Sequence, residues 1–161
     1  MSLNVVNGLP AHILLNHFII VLAPLTAVLA IVAAVWPAAR RRLVWLISAL
    51  SAVTLALTPP TVTAGAWLAD RVGPSPAADT HMTLGDTTLY CSAALVIAAV
   101  LLVVIHLRER RAVPLAGVAR ALVAVVVIVT ATGVCVQIYR IGESGARAAW
   151  GELGGSTASA D

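Results

Sequence analysis

HILLNHFIIVLAPLTAVLAIVAAVW, residues 12–36, contains no Asp, Glu, Lys or Arg. Three further apolar stretches follow, at 43–68, 84–107 and 115–139. At ~1.5 Å rise per residue, a helix of about 24–26 residues crosses a hydrocarbon core ~30 Å thick. The chain therefore reads as all-α: an integral membrane protein built as an antiparallel bundle of four transmembrane helices. Residues 1–150 form that one domain. The small, polar segment 151–161 is expected to be a disordered tail.

The composition agrees. Hydrophobic residues make up 60% and charged residues 11% of the chain, against roughly 45–50% and ~25% in soluble domains. All ten basic residues are Arg, and the net charge is +3. That excess is not a nucleic-acid signal, because the arginines sit in short connections where they set orientation. The first ten residues carry no charge, so the positive start of a cleavable signal is missing. No Cys-x-x-Cys-His sequence is present, which excludes c-type haem attachment.

Charge gives the topology. Arg40, Arg41 and Arg42 separate the first two stretches, Arg108, Arg110 and Arg111 the last two, and Arg120 lies just inside the fourth. The opposite side holds Asp70, Asp79, Asp86, Glu143, Glu152 and Asp161 against Arg71, Arg140 and Arg147. The positive-inside rule then puts the Arg-rich loops in the cytoplasm of a bacterial plasma membrane and both termini outside. Pro59 and Pro60 remove amide donors within the second stretch, so a kink is expected there. The carbonyls freed near Leu55 and Ala56 need donors, and Thr58, Thr61 and Thr63 carry hydroxyls within reach. Small residues such as Ala27, Gly65, Gly117, Ala121, Ala124 and Gly133 suit close helix packing in lipid.

Histidine placement is the main chemical signal. His12 and His17 open the first helix and His81 precedes the third, so all three fall at the outer end. His106 lies ~37 Å from His81 along the helix and belongs to an interfacial position beside Arg108–Arg111. An imidazole near membrane depth is costly and marks a candidate site, against the plain alternative of hydrogen bonds to headgroups or a loop carbonyl. His12 and His17 are turned about 140° apart on a regular helix, so they do not share one small ion. His17 with His81 is the expected pair for axial ligation of a b-type haem, with Met82 as an alternative thioether. A transition-metal site, copper or zinc, would use two or three of the imidazoles of His12, His17 and His81, with Asp86 or Glu143 as a further candidate ligand.

The polar run from Gln137 to Arg147 reaches the same side. Tyr139 and Arg140 suit an interfacial anchor. Ser144 lies between Gly142 and Gly145, where the chain can bend over the helix ends and cap a pocket. Arg140 or Arg147 can then pair with Asp70 or Asp86. Cys91 and Cys135 fall at similar depth and read either as a disulfide or as small buried hydrophobes.

Three segments together resemble the DUF2231 family of bacterial four-helix membrane proteins: Gly8-Leu9-Pro10-Ala11-His12-Ile13-Leu14-Leu15-Asn16-His17-Phe18; Ala64-Gly65-Ala66-Trp67-Leu68-Ala69-Asp70 with His81-Met82-Thr83-Leu84-Gly85; and Arg140-Ile141-Gly142-Glu143-Ser144-Gly145-Ala146-Arg147-Ala148-Ala149-Trp150. The resemblance implies a four-helix domain associated with redox modules. His12, His17 and His81 fall on the family's recurrent histidines, while Ile13 and Glu143 stand where many members have proline and histidine. The Arg, Ala and Val bias suggests an actinobacterial source.

The functional expectation is a small membrane protein of a respiratory or redox chain that binds haem b or a metal for electron transfer. The alternative is a non-catalytic accessory or scaffold subunit of a larger membrane complex. A redox protein or respiratory complex, a second copy of the chain and the lipid bilayer are the expected partners. Nothing points to an enzyme acting on its own. Charges are missing from the middle of the helices, which speaks against a transporter.

Overall fold

A computed structural model of the chain describes residues 5–6, 8–113 and 115–156, with the side chains of Val6 and of residues 151–156 left aside. Two two-residue strands, β1 (Val5–Val6) and β2 (Leu9–Pro10), pair antiparallel through a turn at Gly8, whose φ of 81° suits a residue without Cβ. Five helices follow: α1 (Ala11–Val35), α2 (Pro37–Val72), α3 (Pro76–Gly85), α4 (Thr88–Arg110) and α5 (Gly117–Ser156). Four membrane-spanning segments result, α1, α2, α3 with α4, and α5, each long and apolar enough to cross a bilayer. The protein is a four-transmembrane-helix bundle whose apolar outer faces meet lipid.

Several boundaries differ from the sequence reading. Pro37 sits at the first turn of α2, where its missing N–H costs nothing, so Arg40–Arg42 are helical and not a loop. The α2 helix runs unbroken through Pro59 and Pro60 and is bent by 26°. The nearby hydroxyls do not serve Leu55 or Ala56. Thr58 donates to the Thr54 carbonyl at 2.8 Å, Thr61 to Leu57 at 2.6 Å and Thr63 to Pro59 at 3.0 Å. Each thus bonds the carbonyl four residues back, a habit that bends helices. The α5 helix continues through Gly142 and Gly145 to Ser156. The segment therefore does not fold back over the bundle, and helix extends into the expected tail; residues 157–161 lie outside the described residues.

The interior is built mostly from alanine, with isoleucine, valine and leucine, in two clusters. One, toward the Arg-rich end, includes Ala30, Ala33, Val44, Ile47, Leu102 and Val127; the other, toward the histidine end, includes Ile19, Ala23, Leu95, Ala131, Val134 and Ile138. Alanine lets backbones approach closely, so dispersion contacts accumulate where lipid supplies no hydrophobic drive. Hydroxyls add polar links: the Thr58 hydroxyl, which bonds the Thr54 carbonyl, shares its proton in a longer contact of 3.1 Å with Ser92 between α2 and α4, and Gln137 donates to Thr87 at 2.8 Å. At the Arg-rich end, Arg40 is 1% exposed and pairs with Glu109 of α4 at 2.6 Å. Its Nη1 also donates to the Ala33 carbonyl at 2.9 Å, an otherwise orphaned acceptor at the end of α1.

The two hairpins α1–α2 and α4–α5 repeat one another. Buried positions of α1 recur 69 residues on: Ile19 with Thr88, Ala23 with Ser92, Thr26 with Leu95, Ala30 with Ala99 and Ala33 with Leu102. Buried positions of α2 recur 80 residues on: Ser51 with Ala131, Thr54 with Val134, Thr58 with Ile138, Thr61 with Ile141 and Ala64 with Ser144. Helix adjacency follows the same rule, since α1 packs on α2 and α5 while α4 packs on α5 and α2. Equivalent helices run in the same direction, so the hairpins are related by a pseudo-twofold axis along the bundle.

Candidate functional site

The repeat brings two histidines together. His12 lies at the start of α1, and His81, at the equivalent offset of 69, lies in α3. Their ring centroids are 6.1 Å apart and their planes stand at 80°. Each ring rests on a glycine of another helix, that of His12 on α2 and that of His81 on α5. A Cβ at Gly65 would lie 2.8 Å from His12 Nδ1, and one at Gly145 would lie 3.0 Å from His81 Cε1. Gly65 and Gly145 are 80 residues apart and thus equivalent too. At Gly65 a side chain would occupy the space of the imidazole, and at Gly145 it would press tightly on it.

The hydrogen bonds fix the tautomers. His12 Nδ1 lies 2.9 Å from the Thr61 carbonyl oxygen. A carbonyl only accepts, so Nδ1 carries the proton and Nε2 of the neutral ring presents a lone pair. His81 Nδ1 lies 3.0 Å from Ser144 Oγ. The Ser144 hydroxyl donates its one proton to the Ile141 carbonyl at 2.8 Å, so its oxygen accepts from His81 Nδ1–H. The second imidazole is thus held in the same tautomer. Ser144 is buried at 8% exposure and works as an acceptor. It is not set up as a nucleophile, because a general base would have to take the proton that Ile141 already receives.

The other expected site residues lie elsewhere. His17 is exposed, and its Nδ1 turns back to the Ile13 carbonyl one turn earlier in α1. The histidine facing His81 is therefore His12 and not His17, because a regular helix from Ala11 turns the two side chains apart. Met82 points outward at 41% exposure. Asp86 is exposed beside Thr58 and Pro59. Glu143 pairs with Arg147 at 2.6 Å on the surface of α5, so Arg147 does not reach Asp70 or Asp86. Asp70, Tyr139 and Arg140 are exposed, as suits interfacial positions. Arg71 stacks on Trp67 with its guanidinium 3.8 Å from the ring centroid. Cys91 and Cys135 are both free thiols. Among the described residues no group of three His, Cys, Asp or Glu side chains could hold a metal ion.

His106 faces the inside of the bundle: it is 4% exposed, its Nδ1 has no partner among the described residues, and its ring meets Trp45 edge-on at 6.3 Å between centroids. The sequence missed this, and it also missed Thr61 and Ser144 as the partners that orient the two histidines. The internal repeat is the signal that could have found them, since Ala64-Gly65-Ala66 and Ser144-Gly145-Ala146 are corresponding triplets.

No known protein family, curated protein or solved structure matches the chain.

Proposed function

We propose that the protein is a small redox component of a bacterial plasma membrane, in which His12 and His81 bind haem b through Nε2. One observation carries the reading: both imidazoles are held by an acceptor at Nδ1, which leaves both Nε2 lone pairs for a ligand. Metal-ligating histidines are oriented in this way by a carbonyl or similar acceptor. The two rings stand at the same end of the bundle, with their centroids 6.1 Å apart.

The donor count favours haem over a bare ion. A zinc site uses three or four protein ligands, and the described residues offer two imidazoles without a third donor. A haem brings four equatorial nitrogens and needs only the axial pair. Bound there, it would supply one-electron transfer. The chain's own residues hold and orient the ligands: Thr61 and Ser144 fix the tautomers, and Gly65 and Gly145 make room for the rings.

Orientation and partners belong to the same proposal. The positive-inside rule puts the Arg-rich connections in the cytoplasm and the histidine end outside. The bilayer is the solvent, and a redox protein or respiratory complex would exchange the electron. The motif order that resembles the DUF2231 family agrees with a redox association.

The test is an absorption spectrum of detergent-purified protein, oxidised and reduced, with and without added haem. A Soret band lost in His12→Ala and in His81→Ala, but kept in His17→Ala, is the expected result. No Soret band after haem supplementation, with no metal by elemental analysis, refutes the proposal.

A further inference from the structure

The opposite end of the bundle holds a second candidate site. An open groove of about 460 Å³ runs between the junction of α1 with α2 and the first turns of α5, lined by Val35, Pro37, Arg40, Gly117, Arg120 and Ala121. That volume lies within the range of ligand-binding clefts, roughly 300–1,000 Å³. The groove exists because α5 presents Gly117, Ala121 and Ala124 on one face, and no larger side chain fills the space. Ala121 is exposed although it looks like a packing residue.

Two cations line this groove. Arg40 is buried, and its Nη atoms are used by Glu109 and the Ala33 carbonyl, but its Nε–H has no acceptor. A buried guanidinium N–H without a partner is costly and calls for an anionic acceptor. Arg120 lines the other wall and is exposed, and no ion pair to it occurs among the described residues. Of the seven arginines at this end of the chain's helices, Arg40 and Arg120 line the groove. One turn deeper along α5 the wall is apolar, formed by Ala124, with Ala34 on the α1 side. A cationic mouth above an apolar floor, at the end of membrane-crossing helices, matches an amphiphile with an anionic head.

We propose that this groove binds the phosphodiester headgroup of an anionic phospholipid, with Arg120 as the donor, the buried Arg40 guanidinium in the wall beside it, and an acyl chain lying along Ala121 and Ala124. Guanidinium groups suit phosphate oxygens, which accept several N–H bonds at once. Basic clefts between transmembrane helices are known to take such headgroups. The site is remote from His12 and His81 and does not depend on what they bind.

The test uses the full-length protein, delipidated in detergent. Thermal stability and native mass spectrometry are measured with phosphatidylglycerol, phosphatidylcholine or inorganic phosphate added. The variants are Arg120→Gln, Ala121→Leu and the exposed control Arg42→Gln. Phosphatidylglycerol is expected to bind and stabilise, while phosphatidylcholine does not. Arg120→Gln should weaken that binding about fivefold, the worth of one arginine near a headgroup. Ala121→Leu should weaken it by filling the groove without changing charge, and Arg42→Gln should leave it unchanged. Equal binding of both lipids, or an equal loss in Arg42→Gln and Arg120→Gln, overturns the proposal. Stabilisation by inorganic phosphate with none from phosphatidylglycerol overturns the lipid as occupant.

Discussion

Gly65→Ala tests the histidine seat without removing any polar group. The new Cβ would stand 2.8 Å from Nδ1 and 2.9 Å from Cε1 of His12. Ordinary contact begins near 3.4 Å, so the ring must retreat by roughly 0.6 Å or rotate away. The bond from Nδ1 to the Thr61 carbonyl, 2.9 Å long, then stretches beyond useful length, a loss of about 1 kcal/mol. Replacing glycine by alanine inside a helix gains about 1 kcal/mol. The two effects nearly cancel, so thermal stability should barely change. Haem affinity should instead fall about 10- to 100-fold, as it does when a ligand's orienting partner is lost. Gly145→Ala is the matched control. There the nearest atoms are Cε1 at 3.0 Å and Nδ1 at 3.3 Å, which a shift of a few tenths of an ångström relieves. It should keep the His81–Ser144 bond and show most of the helix gain of about 1 kcal/mol. Nitrogen NMR of labelled histidine reads the tautomers directly, haem titration reads affinity, and thermal unfolding reads stability. If Gly65→Ala gains the full ~1 kcal/mol and leaves the His12 tautomer and haem titration untouched, the imidazole is not held against α2 and the reasoning is wrong.

Other perturbations follow from the same structure. Ser144→Ala removes the acceptor of His81 Nδ1 and should cost about 10-fold or more in haem affinity, with Ser144→Thr partly restoring it; equal affinity in Ser144→Ala and wild type counts against the orienting role. Glu109→Gln leaves Arg40, 1% exposed, without its countercharge and should destabilise the bundle by about 3 kcal/mol in a detergent unfolding assay. Thr58→Val breaks the link to Ser92 between α2 and α4 and should cost only ~0.6 kcal/mol, the mean for such bonds in membranes; a loss several times larger shows that the hydroxyl ladder is cooperative.

The membrane architecture was legible because it depends on length and apolarity, which lipid enforces on every residue of a span. Helix ends were less legible. Pro37 opened α2 ahead of the arginines, and Gly142 with Gly145 did not interrupt α5. The glycine at 145 serves the His81 ring and not a turn, which local sequence does not distinguish. His12 and His81 were visible as candidates, but the pairing was not. Facing across the bundle depends on where α1 begins and on how α3 packs against α5, and both are set by tertiary contacts. The burial of His106 was hidden for a similar reason. Its neighbours along the chain are arginines, whereas its neighbour in space is Trp45.

The repeat explains why the site has two similar halves that are not identical. Corresponding helices place His12 and His81, and Gly65 and Gly145, on either side of one axis. The acceptors differ. The first hairpin uses the backbone carbonyl of Thr61, with Ala64 beside it; the second uses a hydroxyl at Ser144, the position equivalent to Ala64. A carbonyl four residues upstream of Gly65 is present whatever side chain is there, so Thr61→Val should leave His12 in place even though Thr61 is buried. Ser144 gives His81 its partner at 3.0 Å, with the Ile141 carbonyl, equivalent to that of Thr61, also beside the ring. A bound haem should therefore respond unequally to matched changes in the two halves, weakly to Thr61→Val and strongly to Ser144→Ala, when affinity is measured by titration against reduced and oxidised haem. Equal losses from both would mean that the Thr61 side chain, and not its carbonyl, holds His12, and the tautomer assignment of the first imidazole would fall with it.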